Sequence, residues 1–531
     1  MRILFFLTIL SVLFGPFVYA QPPETFITSF DPNPDNMFQV DKGKAIWSMD
    51  HFVYVINGFV KEEGGRKDQI FKIDANTRQI VKVIEFEGPQ GDIVITANAI
   101  TSDNYILLTG EWLDYSAGFT MRMFLAKLTP DLETVWIQYY PDLMITFLYS
   151  EGVAETEAGD YLIYLAEGYG PPPHDHSELR VIKTDTSGTI LFNKVLTDTF
   201  NVTYGHADLT PSADGNFYVS SKVQDYYVDP LNGTLTVNSI LHKIDPDANQ
   251  LWTKTLGFVK YDIQAPICTS LSGGGGAVMW TNDTLTVDPD IPYQFVLMQG
   301  FDPEGNPSWK HEWSQWGFRT VNCILEAGNG DILGVGHYER EGWPNRGKGW
   351  FFRTNSTGEL LWERFYSDSL IRPWSPLMEV LDICEMDDGR IAGTGYVLDT
   401  NSVQGSFNFN VVLLVLDSMG CQVPGCAGAN QYIVSVSEPL FRLPELPVLS
   451  VFPNPSSGAF SVTLPQALAA RNRPRELRCY DQSGRLLGQY DWPLSSDPFH
   501  AEDIPGADGP CYLLLFERHR PVASGKIIIQ R

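Results

Sequence analysis

Several stretches of the sequence bring together residue types that can do chemistry. His174-Asp175-His176 places two imidazoles on one side of an extended segment with a carboxylate between them, the beginning of a zinc ligand set. Spacing fixes no third ligand and three prolines precede the stretch, so no metal and no other cofactor is expected; His174 and His176 are the candidates if one binds. Trp112, Tyr115, Tyr169, Tyr226, Tyr227, Tyr293, Tyr338 and Trp343 fall in stretches rich in acids. Such rings offer flat apolar faces with polar edges, which suits sugars or peptide side chains. The competing reading is that they pack their own loops onto the strands below. Cys268, Cys323 and Cys384 each precede a tight turn, either as small apolar core residues or as a thiol cluster. A glycosidase would need a carboxylate pair facing one cavity, and acids are plentiful, but spacing does not bring two together. There is no nucleophile elbow, zinc-protease helix motif or phosphate loop. Binding is therefore expected over catalysis.

The elements that must position these residues are strands. "KIDANTRQIV" (72–81), "KLTPDLETVW" (127–136), "KTDTSGTILF" (183–192), "KIDPDANQLW" (243–252), "GFDPEGNPSW" (300–309), "RTNSTGELLW" (353–362) and "VLDSMGCQVP" (415–424) form one column, about 53 to 62 residues apart. Upstream of these stand "GDYLIYLAEG", "DGNFYVSSK", "NGDILGVGHY" and "DGRIAGTGY", each a tight turn opening an alternating strand. One repeat thus holds four antiparallel strands, here termed a to d from the inside outward. About seven such repeats predict an all-β, seven-bladed β-propeller over residues 21–426, with six or eight blades as alternatives. Trp136, Phe192, Trp252, Trp309 and Trp362 are expected to pack between blades. Asp74, Asp185, Asp245, Asp302 and Asp417 are expected to hydrogen-bond their own c–d turns. The last repeat lacks a normal strand d, and Thr25–Phe30 is a strand without a partner. It is expected to complete the last blade and protect its edge. The a–b and c–d turns are short and share one face. The b–c and d–a loops are long and share the other, where binding is expected.

The chain has 531 residues, 46 glycines, 35 prolines and a net charge of −27, which argues against a nucleic-acid partner. Residues 1–20 read as a secretory signal peptide: Arg2, an apolar run from Ile3 to Phe14, and small residues before Gln21. No later stretch is apolar enough to span a bilayer, so the mature chain is expected to have no transmembrane span. Seven cysteines leave at least one outside intramolecular pairs. Cys421 and Cys426 are close enough for a short-loop disulfide, and Cys479 and Cys511 are candidates for a cross-strand pair.

Residues 427–447 carry no repeat marker and read as a linker. Residues 448–531 read as a small immunoglobulin-like β-sandwich with nearly balanced charge, so the acidity belongs to the repeats. In it, "VFPNPSSGAF", "CYDQSGRLL" and "CYLLLFERHRPVASGKIIIQR" resemble the C-terminal sorting domain of type IX secretion substrates. The matching positions are Pro453, Asn454, Pro455 and Gly458, then Asp481, Gly484 and Arg485, then Tyr512 and Lys526. Pro510 and Cys511 depart from the usual Gly-Val-Tyr there. The resemblance implies a bacterium of the Bacteroidota kind and passage across the outer membrane. It implies the secretion machinery and a sortase-like peptidase as partners, and a cell-surface or extracellular location. The expected protein is an exported binding or adhesion propeller for a glycan or protein ligand. A propeller hydrolase using channel carboxylates and a structural surface component are the alternatives.

Overall fold

The computed structural model describes residues 25–30, 42–60, 66–86, 88, 91–114, 120–145, 147–169, 176–199, 208–225, 236–259, 266–284, 293–313, 318–339, 347–367, 378–399, 408–422, 426, 430–432, 449–454, 456, 459–464, 468, 475–481, 486–492, 499–501, 509–517 and 520–529. It divides into two compact units, 1–438 and 439–531. Residues 1–20, read from the sequence as a signal peptide, lie outside the described residues.

In the first unit, β1 (Phe26–Phe30) precedes seven sheets among the described residues. Sheet 1 runs β2 (Lys42–Met49), β3 (Phe52–Val60), β4 (Arg66–Asp74), β5 (Gln79–Glu85); sheet 2 runs β6 (Ile93–Ile100), β7 (Ile106–Asp114), β8 (Thr120–Leu128), β9 (Thr134–Ile145). Sheet 3 runs β10 (Phe147–Glu155), β11 (Tyr161–Tyr169), β12 (His176–Thr184), β13 (Ile190–Thr199); sheet 4 runs β14 (Asp208–Pro211), β15 (Phe217–Asp225), β16 (Thr236–Ile244), β17 (Gln250–Val259). Sheet 5 runs β18 (Ile267–Ser270), β19 (Gly276–Thr284), β20 (Tyr293–Phe301), β21 (Pro307–Trp313); sheet 6 runs β22 (Phe318–Glu326), β23 (Ile332–Glu339), β24 (Gly347–Thr354), β25 (Leu360–Ser367). Sheet 7 is β26 (Met378–Glu385), β27 (Ile391–Asp399) and β28 (Asn408–Leu416), completed by β1. Phe26 pairs with Val415 and Phe30 with Val411, antiparallel, as the unpartnered N-terminal strand predicts. A short strand after the last repeat, β29 (Asn430–Tyr432), adds to sheet 6 parallel to β25. It falls inside the stretch read as a linker.

The sheets adjoin in cyclic order: β10 meets β6 and β14, β18 meets β14 and β22, and β26 meets β22 and β2. This is a β-propeller-like arrangement, with apolar clusters between successive sheets. One such cluster joins Leu333, Val335 and Phe351 to Val380, Ile383 and Leu414. A four-stranded antiparallel sheet can present apolar side chains on both faces only if neighbours cover both.

Repeated polar contacts set the register between sheets. In each c–d turn one side-chain oxygen accepts from backbone N–H groups: Asp185 Oδ1 from Ser187 and Thr189, Asp245 Oδ1 from Asp247 and Asn249, Asp417 Oδ1 from Met419 and Cys421. Asp74 and Asp302 do the same, and Asn355 takes this place in sheet 6. The cation before the turn then reaches the next sheet. Lys72 donates to Asp131 at 2.7 Å, Lys183 to Asp247 at 3.2 Å, Lys243 to the Pro303 carbonyl at 3.0 Å and Arg353 to the Ser418 carbonyl at 3.1 Å. The aromatic after the turn does likewise. Trp252, Trp309 and Trp362 fill the space where a side chain would stand on Gly305, Gly358 and Gly420, each at positive φ in the following turn. Glycine is required there twice over, by conformation and by the ring against it. On the opposite hairpin, Glu155, Glu326 and Glu385 accept from the a–b turn of the preceding sheet: Ser102 N, Ser272 N and Gly328 N.

The second unit holds two sheets. One is β30 (Ser450–Phe452), β31 (Phe460–Thr463) and β34 (Phe499–Ala501). The other orders β33 (Leu486–Trp492), β32 (Arg475–Asp481), β35 (Gly509–Glu517) and β36 (Arg520–Ile529). Their core includes Leu449, Phe460, Val462, Leu477, Trp492, Leu513 and Ile527. Asn454 lines the edge of β36: its Nδ2 donates to the Lys526 carbonyl at 2.9 Å and its Oδ1 accepts from Ile528 N at 2.9 Å. Ser456 N donates to the Ile528 carbonyl. The proline-flanked stretch therefore occupies part of an edge that a further strand would otherwise use. Asn454→Ala is expected to lower the stability of this unit by about 1–2 kcal/mol, the cost of two lost bonds to backbone groups. Urea unfolding followed by Trp492 fluorescence checks it; an unchanged midpoint would make the clip dispensable.

The anticipated Cys479–Cys511 bond is absent, and both are buried thiols. Cys479 stands opposite Leu513 while Cys511 stands opposite Asp481, a diagonal offset of two residues. Diagonal Cβ atoms lie near 7 Å apart, too far for the roughly 4 Å that a disulfide spans. The Cys421–Cys426 bond is formed.

Candidate functional site

The innermost strands share a bulge. Register shifts fall between Gly43 and Ala45, Ile95 and Ala97, Ser150 and Gly152, Val321 and Cys323, and Val380 and Asp382. A bulge re-aims the residue that follows it. That position reads Ala45, Ala97, Gly152, then Asp208 and Ile267 at the start of the shorter β14 and β18, then Cys323 and Asp382. One side of the ring thus lines the axis with small residues and the other brings two carboxyls and a thiol.

These groups converge across sheets that are not neighbours. Burial pushes Asp208 up to about 6, against a hydrogen bond from Thr210, and the Asp382 charge pushes it the same way. Asp382 is also pushed up to about 6 by burial, opposed by bonds from the Cys323 thiol and from the Ile46 and Ile383 amides. Ile46 N lies 2.8 Å from Asp382 Oδ2, so this carboxyl also joins sheet 7 to sheet 1. The Asp382 charge acting on Asp208 brings the innermost strands of sheets 4 and 7 within electrostatic reach of each other. Each is enclosed by protein yet keeps partial solvent exposure. The thiols are the opposite of activated. Burial pushes Cys268 up to about 12, with the Asp208 charge adding to it, and burial raises Cys323 and Cys384 strongly, with Asp382 adding to both. A thiol held protonated is a poor nucleophile.

A second group stands where β22 and β26 begin, at the end of the ring reached by the long d–a loops. Asn322 Nδ2 donates to Glu379 Oε1 at 3.0 Å and to the Val380 carbonyl at 2.7 Å. The Tyr396 hydroxyl also donates to Glu379. The Lys42 ammonium lies 4.5 Å from the Tyr396 ring centre. Burial lowers the His337 pKa, opposed by the charges of Glu379 and Glu339. A carboxylate, a phenol, an amide and an ammonium here offer both donors and acceptors.

Two of the expected stacking aromatics have side chains described: Trp112 is buried and Tyr338 is half-buried. Trp112 is 6% exposed, edge-on to Tyr139 at 5.2 Å and with the Arg122 guanidinium 5.4 Å from its ring. Tyr338 packs on Phe365 at 4.7 Å, with Arg319 5.4 Å from its ring. Arg319 is itself buried, paired with Glu363 at 3.2 Å and lodged 4.7 Å from Trp350. These rings face arginines of their own chain, which the sequence does not disclose because each partner lies on another strand. Tyr169 and Tyr293 lie at strand ends, with only their backbone described. Tyr115, Tyr226, Tyr227, Trp343 and His174 lie outside the described residues. His176 pairs with Tyr169 in the ladder, and no group of three metal-ligating side chains occurs among the described residues. Of the sorting-motif positions, Tyr512 and Lys526 face each other across β35 and β36, with the ammonium 5.6 Å from the ring centre; Pro453 is exposed. Pro455, Gly458, Gly484 and Arg485 lie outside the described residues, as does the Asp481 side chain.

Asp208, Asp382 and Glu379 were not singled out by their surroundings in the sequence. A counting signal does find the axis: Gly152, Asp208, Cys323 and Asp382 stand seven residues before Gly159, Gly215, Gly330 and Gly389.

No family model matches the chain, and no curated protein matches it. Among solved structures it is similar to a protein of unknown function from Dyadobacter fermentans, at 10% identity and TM-score 0.40, over 74% of this chain and 98% of that one. It is similar to an alpha-L-arabinofuranosidase from Fusarium graminearum, at 8% identity and TM-score 0.36, over 74% of this chain and 97% of that one. It is also similar to a Mycobacterium tuberculosis puromycin-hydrolyzing peptidase, at 10% identity and TM-score 0.40, over 83% of this chain and 61% of that one.

Proposed function

We propose that the chain is an exported seven-bladed β-propeller that binds a glycan or a protein partner at its long-loop end. A C-terminal immunoglobulin-like sandwich directs its type IX secretion and its attachment to the cell surface or its release. What carries the binding reading is the Glu379, Tyr396, Asn322 and Lys42 group at the loop end of the inner strands. The turn face, by contrast, spends its described cations on latches between sheets. Clustered donors and acceptors of this kind match sugar hydroxyls better than an apolar peptide. The test is thermal unfolding of the mature chain with a glycan panel, since a ligand that binds the native state raises the midpoint. A selective rise that disappears in Glu379→Gln supports the reading. No rise, or one that survives the substitution, sinks the glycan reading and leaves a protein partner or a structural role. The sorting role has its own test: without residues 449–531, the propeller should stay in the periplasm, and normal surface delivery would refute it.

One observation favours a hydrolase as second reading. Asp208 and Asp382 face one axis and both lie near 6, where a carboxyl can exchange a proton at neutral pH. Release of nitrophenol from aryl glycosides, abolished in Asp208→Asn with binding retained, would establish it.

A further inference from the structure

Sheet 7 is assembled from both ends of the repeat region, and its outer strand has no covalent link to the strand it pairs with. After β28 the chain turns at Asp417, where Asp417 Oδ1 accepts from Cys421 N at 2.8 Å. The Tyr366 hydroxyl donates to the Gly420 carbonyl at 2.7 Å, fixing the near side of the turn. The chain then closes on itself through the Cys421–Cys426 disulfide. Within that loop the Gln422 carbonyl accepts a hydrogen bond from Thr25 Oγ1, at the start of β1. β1 brings Phe26 and Ile27 into the core, so its docking removes two large apolar side chains from water. It is thus held by its ladder to β28 and, at its Phe26 end, by a carbonyl inside the loop.

We propose that the Cys421–Cys426 bond is a redox lock on closure of the ring: β1 stays docked while the bond is intact and comes away from its Phe26 end when the bond is reduced. The reductant is a dithiol. It delivers two electrons and two protons, the S–S bond breaks, both cysteines become thiols, and the dithiol becomes its own disulfide. Cys421 is buried but Cys426 is partly exposed, which gives the attacking thiolate a sulfur to reach. With the loop open, the Gln422 carbonyl loses its fixed position and Thr25 its acceptor. A chain made in a reducing compartment then carries an open seam that oxidation closes. The inference stands apart from the ligand reading and survives its failure.

The test is hydrogen exchange of the mature chain with and without dithiothreitol, with reduction verified by thiol counting. Peptides covering β1 are compared with peptides covering β3 and β7. Reduction is expected to speed exchange in β1 at least tenfold, leave β3 and β7 unchanged, and reverse on reoxidation. The double variant Cys421→Ser, Cys426→Ser should show fast β1 exchange without reductant and no response to it. Unchanged β1 exchange in the verified reduced protein overturns the proposal. So does an equal rise in all sheets, which would make the bond a general support rather than a lock.

Discussion

Replacing Arg390 by alanine is expected to cost about 2–3 kcal/mol, because a buried guanidinium gives up its charge-assisted bonds and its packing while its partner Asp388 stays in reach of solvent. Arg390 is 1% exposed. Its Nε donates to Asp388 Oδ2 at 2.8 Å, and its remaining nitrogens reach the Ala75 carbonyl at 3.4 Å and Asn76 Oδ1 at 3.1 Å. Asp388 belongs to its own hairpin, whereas Ala75 and Asn76 belong to the c–d turn of sheet 1. The guanidinium therefore ties the hairpin of the last repeat to the c–d turn of the first. Alanine leaves the Ala75 carbonyl and the Asp388 carboxylate short of a donor and opens a gap between the two sheets. Guanidinium unfolding at pH 7 measures the loss. A change under about 1 kcal/mol would mean that the seam draws its stability from β1 and the apolar cluster alone.

The second large effect is on pH dependence. Asp208 sits at about 6 in the folded protein and at about 3.9 when unfolded. The native state therefore holds the proton more tightly. Stability from this group is fully present below pH 4, is lost as pH rises toward and through 6, and stays lost above it. That difference in proton affinity corresponds to about 3 kcal/mol, reduced to about 2 because solvent reaches the axis. Asp208→Asn has no charge to desolvate. It is expected to match the wild type at pH 4 and exceed it by about 2 kcal/mol at pH 8. The turn aspartates act in the opposite sense. Asp185 and Asp302 are held low by the hydrogen bonds they accept, and their stabilisation fades as pH falls below the unfolded value. Because wild type and variant share those groups, the difference between their pH profiles isolates Asp208. Parallel profiles from pH 4 to 8 would remove the carboxyl from the axis.

The parts of the fold legible in the sequence are those whose causes are local. An Asp that caps its own turn lies two to four residues from the amides it accepts, so Asp185 and Asp245 announce a feature that recurs as Asp in five of the seven repeats. The aromatic after the turn recurs for a related reason, since the next repeat supplies the same glycine. β1 was legible by subtraction, as a strand lacking a partner opposite a repeat lacking a strand. The candidate site was not legible in this way. The Asp382 charge acts on Asp208 from 174 residues away, and their neighbours in sequence are ordinary strand residues. Glu155, Glu326 and Glu385 repeat four residues before the turn glycine, yet their partners lie in the preceding repeat, so composition hides their role. Trp112 shows the converse: aromatic type suggested an open surface, and a cross-strand arginine covers the ring.

The parallel strap β29 gives the propeller a defined response to tension. A pull on the chain beyond Tyr432 first loads three residue pairs with β25, from Phe365–Asn430 to Ser367–Tyr432. Once these part, the load arrives at Cys426 and crosses the sulfur bridge to Cys421, bypassing the residues between them. It then meets the turn that Asp417 caps and Tyr366 braces before it reaches β28 and its ladder to β1. The strap thus works as a short, recoverable fuse ahead of a covalent stop, so that strain on the tether is spent before it reaches the closure of the ring.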